Sequence, residues 1–138
     1  MADTIYSTVE QVEALFAADG GGPVAIVNLL KFKEKADYPA EAAETSHGMT
    51  GREAYRLYAD AFIDLIAEFG GRTVYWGDTL GYAIGAGDWD AVWINRFPDL
   101  QALRAVSTDP RYVDMHRHRE AGLAHQHAIA TRPDAVDR

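Results

Sequence analysis

Along the chain, apolar positions keep two rhythms: the spacing of a helix face, or the alternation and continuity of strands. Val9, Val12, Leu15 and Phe16 keep helical spacing, with Ser7 or Thr8 placed to cap, so a helix is expected over Ser7–Ala18. The run Asp19-Gly20-Gly21-Gly22-Pro23 stops it. Val24–Phe32 is nearly continuous in apolar and β-branched residues, the mark of a strand covered on both faces, with Asn28 as a polar interruption. Residues 33–49 are charged, rich in Ala and Glu, and broken by Pro39 and Gly48. They read as a long surface loop, either a lid or a tolerated insertion.

From Thr50 to Phe69 the helical rhythm is strongest. Ala54, Tyr58, Ala61, Phe62, Leu65, Ile66 and Phe69 make one stripe, while Glu53, Arg56, Asp60, Asp64 and Glu68 lie largely opposite. Thr50 with Glu53 fits a capping box, and Gly70-Gly71 supplies the stop. Arg72–Trp76 and Leu80–Ile84 read as one long bulged strand or two short ones, with Gly77-Asp78 between. Asp90–Phe97 is a further strand. Asp99 can cap a short helix through Val106, and Asp109-Pro110 opens another to about Gly122. A last strand, about His125–Thr131, precedes a polar tail.

Setting the first helix aside, the order is strand, helix, strand, strand, helix, strand. That is the α+β, ferredoxin-like βαββαβ arrangement, an antiparallel sheet with helices packed on one face. Apolar and aromatic residues on both strand faces leave the second face to be covered. No helix is spare for it, so a second copy of the chain is expected there, two sheets meeting about a two-fold axis.

Composition narrows the partners. The chain has 138 residues, 48% hydrophobic and 25% charged, which fits one folded domain over residues 1–138 with its core in 23–132. A formal charge of −8 argues against a phosphate backbone and against an anionic membrane surface. Absence of cysteine excludes disulfides, thiolate metal sites and a Cys nucleophile. The start Met-Ala-Asp-Thr carries no signal-peptide pattern, and no apolar run approaches the roughly 20 residues of a membrane span. A cytoplasmic location is the expectation.

Several strings occur in a fixed order: Asn28-Leu29-Leu30-Lys31-Phe32, Tyr55 to Tyr58, Gly70-Gly71-Arg72, Trp89-Asp90, Arg96-Phe97-Pro98, Asp109-Pro110-Arg111-Tyr112, Arg119 and Gly122-Leu123. Over residues 23–132 this set resembles the domain-of-unknown-function 1330 family of dimeric α/β-barrel proteins. The resemblance implies a ferredoxin-like protomer, a dimeric barrel and a small ligand. It implies no reaction, because the wider superfamily spans oxygenases, cyclases, isomerases and haem enzymes.

Candidate chemistry gathers on the helix from Pro110. Tyr112, His116, Arg119 and Leu123 stand at i, i+4, i+7 and i+11, on one face that Tyr112 and Leu123 mark as inward. An inward Arg needs a partner, and Asp90 is placed to be one. Two readings follow. His116 is a general base or acid with Arg119 anchoring a carboxylate or enolate oxygen. Alternatively, Arg119 and Asp90 form a structural pair with His116 at the rim. Asn28, on the face of Val24, Ile26, Leu30 and Phe32, meets either a backbone group or a ligand oxygen. Tyr58 is core or presents its hydroxyl to a ligand, and Trp76 is an apolar wall or a stacking platform. Arg96 shares a strand face with Ile94 and Val92, suited to an acidic substrate or an interface ion pair.

Four of five histidines lie between 116 and 127, yet none of the known ligand spacings occurs. His116 and His118 diverge by about 200° on a helix, while His125 and His127 share a strand face. No metal site is expected. Gly20-Gly21-Gly22 precedes a strand and so is no phosphate loop, and neither a nucleophile elbow nor a dinucleotide fingerprint is present. The expectation is a homodimeric small-molecule enzyme without a bound redox cofactor, acting on a carbonyl compound by proton transfer, isomerisation, cyclisation or oxygenation. The competing expectation is a non-catalytic ligand-binding or structural homodimer.

Overall fold

The fold begins from local signals that are satisfied where the sequence places them. A computed structural model describes residues 4–134; residues 1–3 and 135–138, the end of the polar tail, lie outside that range. Thr8 caps α1 (Val9–Ala18), accepting from the Gln11 N–H while Gln11 bonds back. Thr50 and Glu53 form the same reciprocal box on α2 (Gly51–Ala67). Asp99 caps α3 (Leu100–Ser107), and Asp109 with Pro110 opens α4 (Pro110–Gly122). The strands are β1 (Val24–Phe32), β2 (Arg72–Asp78), β3 (Ala91–Phe97) and β4 (Leu123–Thr131).

Among the described residues the four strands make one antiparallel sheet in the order β2-β3-β1-β4. This is the ferredoxin-like order. In the ladder Asn28 stands opposite Trp93 and Ala128, and Leu30 opposite Ala91 and Gln126. Cross-strand partners share a face, so Asn28, Leu30, Trp93, Asn95, Trp76 and Gln126 all point toward α2 and α4. On that side Leu30, Tyr55, Ile66, Trp93, Phe97, Leu100 and Leu123 are almost fully buried. Each contributes about 1.5–3 kcal/mol by leaving water.

The two long helices approach at a point where neither has a side chain. A Cβ on Gly122 would stand 2.2 Å from the Gly51 carbonyl oxygen and 2.7 Å from the Tyr55 nitrogen. One on Gly51 would stand 2.1 Å from the Lys33 carbonyl oxygen. Contact is therefore backbone to backbone, and it fixes how α4 lies over the sheet.

Residues 33–49 are docked onto the helices. They contain a short 3-10 helix, Ala43–His47, and Tyr38 is buried with Ala54 and Ala121 in a small second core. The Ala36 N–H bonds the Met49 carbonyl and the Asp37 N–H bonds the Ala121 carbonyl.

Leu80–Ile84 is not a strand. The ladder of β2 ends where Asp78 pairs Ala91, and Leu80 and Ile84 are fully exposed. Leu80, Tyr82 and Ile84 alternate as a strand would, but among the described residues no strand lies alongside to take their backbone bonds. Gly77-Asp78, expected to separate two strand pieces, instead ends β2, and the register shift falls between Thr73 and Tyr75.

Opposite the helices, the sheet carries Val27, Leu29, Val92 and Ile94, with Tyr75 and Ile129 about half exposed. Among the described residues no helix covers this face, and Trp89 packs at its edge against His125 and His127. Among the described residues no helix is long and apolar enough to cross a membrane.

Candidate functional site

The inward face of α4 and the helix-side face of β4 meet beside β1, and there the polar side chains join into one chain of bonds. Arg119 is only 8% exposed. Its Nη2 donates to Gln126 Oε1 at 2.6 Å and to the Ile5 carbonyl. Gln126 Nε2 donates to Asn28 Oδ1 at 2.7 Å, and Asn28 Nδ2 donates to the Trp93 carbonyl at 3.0 Å. On the other side, Arg119 Nη1 lies 3.3 Å from His116 Nε2. His116 Nδ1 lies 3.6 Å from Glu120 Oε1, and the Tyr6 hydroxyl donates to Glu120 Oε2. A continuous run thus leads from Tyr6 at the surface to the backbone of β3.

Two electrostatic features follow. Among the described residues no carboxylate stands at ion-pair distance from Arg119; its partners are a backbone carbonyl, an amide and an imidazole. A buried guanidinium with only neutral acceptors keeps much of its attraction for an anion. His116 is shifted below the ordinary imidazole range, first by burial and then by the charge of Arg119. Since a guanidinium can only donate, Nε2 holds the lone pair and the imidazole proton sits on Nδ1, toward Glu120. Glu120 is in turn held below its usual range, mainly by the Tyr6 hydroxyl. Neutral base, orienting carboxylate and anion anchor are the parts of a proton-transfer site.

The sequence candidates separate into groups. His116, Arg119 and Asn28 belong to the run just described. Tyr58 and Trp76 line the aromatic core next to it. Tyr58 packs against Phe62 at 5.5 Å and Tyr112 at 6.3 Å, and Trp76 against Trp93 at 5.2 Å. Burial drives the Tyr58 phenol well above its ordinary range, so it stays protonated.

Asp90 does not pair with Arg119. Its carboxylate accepts the Phe32 N–H at 2.8 Å and stands 3.4 Å from Lys31 Nζ, tying the start of β3 to the end of β1. Register explains this: Asp90 continues past Ala91, opposite Leu30, and Lys31 and Phe32 are what lies within reach. Arg96 lies on the open face, across the ladder from Ala25 and Arg72, and is separated by the sheet from Asn28, Tyr58, Trp76 and Arg119.

Gln126, Glu120 and Tyr6 are members that the sequence reading did not single out. Glu120 stands four residues after His116, a spacing that carries the signal. Gln126 lies between His125 and His127, whose parity places it on the face of Asn28. Tyr6 has no local signal, because its contacts within the cluster lie more than a hundred residues away. His125 and His127 are on the open face, their rings 5.0 Å apart and both against Trp89, with His116 on the helix side. Among the described residues no three metal-ligating side chains converge.

Comparison with solved structures agrees with this fold. A protein of unknown function from Rhodopseudomonas palustris is 28% identical with a TM-score of 0.85, covering 98% of this chain and 100% of that one. A dabb family protein with a ferredoxin-like fold from Mesorhizobium loti gives 17% identity and a TM-score of 0.52 over 83% of this chain and 99% of that one. An Arabidopsis thaliana protein gives 14% and 0.56, over 83% and 99%. No curated protein matches. Residues 43–132 match the family described as "Domain of unknown function (DUF1330)", and with that stretch making up more than half of its length the chain belongs to this family.

Proposed function

We propose that the chain is a small-molecule enzyme that moves a proton on a carbonyl compound, without a bound redox cofactor, as a single-domain cytoplasmic homodimer. One observation carries it: Arg119, buried and lacking an anionic partner among the described residues, lies 3.3 Å from a neutral imidazole. A substrate carboxylate or enolate oxygen taking up Arg119 draws Nη1 away from His116 and frees the Nε2 lone pair. His116 then accepts the proton next to the carbonyl, while Arg119 stabilises the charge that develops on oxygen. Glu120 holds the imidazole and stabilises it once it is protonated. Asn28 and Gln126 fix Arg119 by satisfying each other.

The aromatic filling around Tyr58 and Trp76 favours the second reading, a ligand-binding or structural dimer, because those side chains leave little room next to the core. The absence of an Arg119–Asp90 pair favours catalysis.

The test is deuterium uptake in D2O at the carbon next to the carbonyl, over a panel of small 2-oxo and 3-oxo acids. Wild type is expected to exchange that position, His116→Gln to lose about 100-fold, and Arg119→Lys to lose a comparable factor. Equal exchange in folded wild type and both variants sinks the catalytic roles.

A further inference from the structure

Resting on that reading, the segment just before α1 says what kind of molecule the site takes. Residues 4–6 cross the mouth of the cluster. The Ile5 carbonyl accepts from Arg119 Nη2, the position an anionic oxygen would hold. The Tyr6 ring stacks over His116 at 6.2 Å with an interplanar angle of 26°, and Arg119 Cζ is 6.0 Å from the same ring. Its hydroxyl reaches Glu120. In outline, the chain presents its own site with a carbonyl oxygen, a flat ring and a ring hydroxyl, each against one member of the cluster.

Ile5 is part-buried against the core, while the flanking Thr4 and Tyr6 are exposed. Tyr6 is 56% exposed. Its backbone is tied to the edge of β4 by the Gln126 N–H to the Thr4 carbonyl at 2.9 Å, and by the Thr4 N–H to His125 Nδ1 at 2.8 Å. Ser7, which follows, is exposed and separates the segment from the Thr8 cap of α1. A neutral carbonyl is also the weaker partner for a guanidinium, and a carboxylate offers it two charged acceptors.

We propose that residues 4–6 are a displaceable strap filling the ligand seat, and that the ligand is a hydroxylated aromatic carboxylate, or its flat enol-acid equivalent. Its carboxylate replaces the Ile5 carbonyl on Arg119, its ring replaces Tyr6 on His116, and its hydroxyl takes over Glu120. The strap then sets apparent affinity, because only the fraction of molecules with the seat open can bind.

Titration calorimetry of the full chain with 4-hydroxybenzoate tests this, with cyclohexanecarboxylate as the non-aromatic control. Tyr6→Ala is expected to tighten 4-hydroxybenzoate by about tenfold, the gain when a seat closed nine-tenths of the time is opened. Arg119→Gln abolishes binding, with Arg119→Lys partly retaining it as the check on folding. In the wild type, ligand is expected to speed hydrogen exchange at the Gln126 amide, which loses its bond to Thr4. Binding that depends on Arg119 but is unchanged or weaker in Tyr6→Ala, with Gln126 still protected, overturns the strap and leaves the site standing. No Arg119-dependent binding in wild type or Tyr6→Ala overturns the ligand class. The deuterium-uptake assay then reports separately on whether His116 and Arg119 catalyse.

Discussion

His116 lies under the Tyr6 ring with 23% of its side chain exposed, and His118, two residues on, has its Nδ1 2.6 Å from the Tyr38 hydroxyl. Both are held below the ordinary imidazole value of 6.5, by burial first and by a neighbouring guanidinium second, Arg119 for one and Arg117 for the other. The sign follows from linkage. Below 6.5 the unfolded chain binds protons that the folded chain refuses, so stability falls as pH drops through 6.5 toward the folded values. The carboxylates act in a lower window. Asp19, Asp109 and Glu120 are depressed, and Glu44, on Arg117, is lowered to about 2, so their part is lost only in more acid solution. The melting temperature is therefore expected to decline between about pH 7 and 5, and His116→Gln with His118→Gln to flatten that decline. A slope unchanged by the double variant removes the assignment. At this scale Asn28 was legible, because a polar residue in an apolar strand must find partners. Gln126 was not, because its parity on β4 mattered only once the register against Asn28 was known.

α2 and α4 touch through glycines, and that contact decides where the site's helix lies. Gly122 closes α4, and its missing side chain admits the Gly51 carbonyl and the Tyr55 nitrogen, neither of which can move without shifting α2. Gly122→Ala is therefore expected to cost about 2 kcal/mol by overpacking, and to tilt α4 enough to disturb the Arg119–Gln126 bond. Denaturant unfolding gives the first quantity, and proton-transfer activity in the folded variant the second. A variant as stable as wild type shows that the helices separate freely and that this close approach carries no constraint. The sequence marked Gly122 only as a helix end, since a close approach of two backbones has no periodic signature. The Thr50–Glu53 capping box was legible because donor and acceptor lie three residues apart. Leu80–Ile84 was misread for the opposite reason: alternation specifies a face, whereas a strand also needs a neighbour, and the described residues supply none there.

Among the described residues the molecule is lopsided, with the helices on one face of the sheet and the other face largely open. Val27, Leu29, Val92, Ile94, Tyr75 and Ile129 form a continuous apolar surface across all four strands. In the proposed homodimer a second copy apposed about a two-fold axis would hide it, and a stable pairing of this kind buries on the order of 800 Å² per partner. The same arrangement gives a use to Arg96, which stands next to Arg72 across the ladder. Like charges so placed repel within one protomer and gain from acidic groups on another. Ile94 is near the middle of this surface and points away from Trp93 and the helix-side core, so changing it tests assembly without emptying the core. Ile94→Lys is expected to give a monomer by native mass spectrometry with an unchanged far-ultraviolet circular dichroism spectrum. A persistent dimer would put the interface elsewhere, and a variant that unfolds would mean that the protomer depends on its partner for stability. Because α4 and the Tyr6–Arg119 cluster lie on the opposite side of the sheet, the monomer is also expected to bind 4-hydroxybenzoate as the dimer does. Loss of binding together with loss of the dimer would instead tie the site to the partner copy.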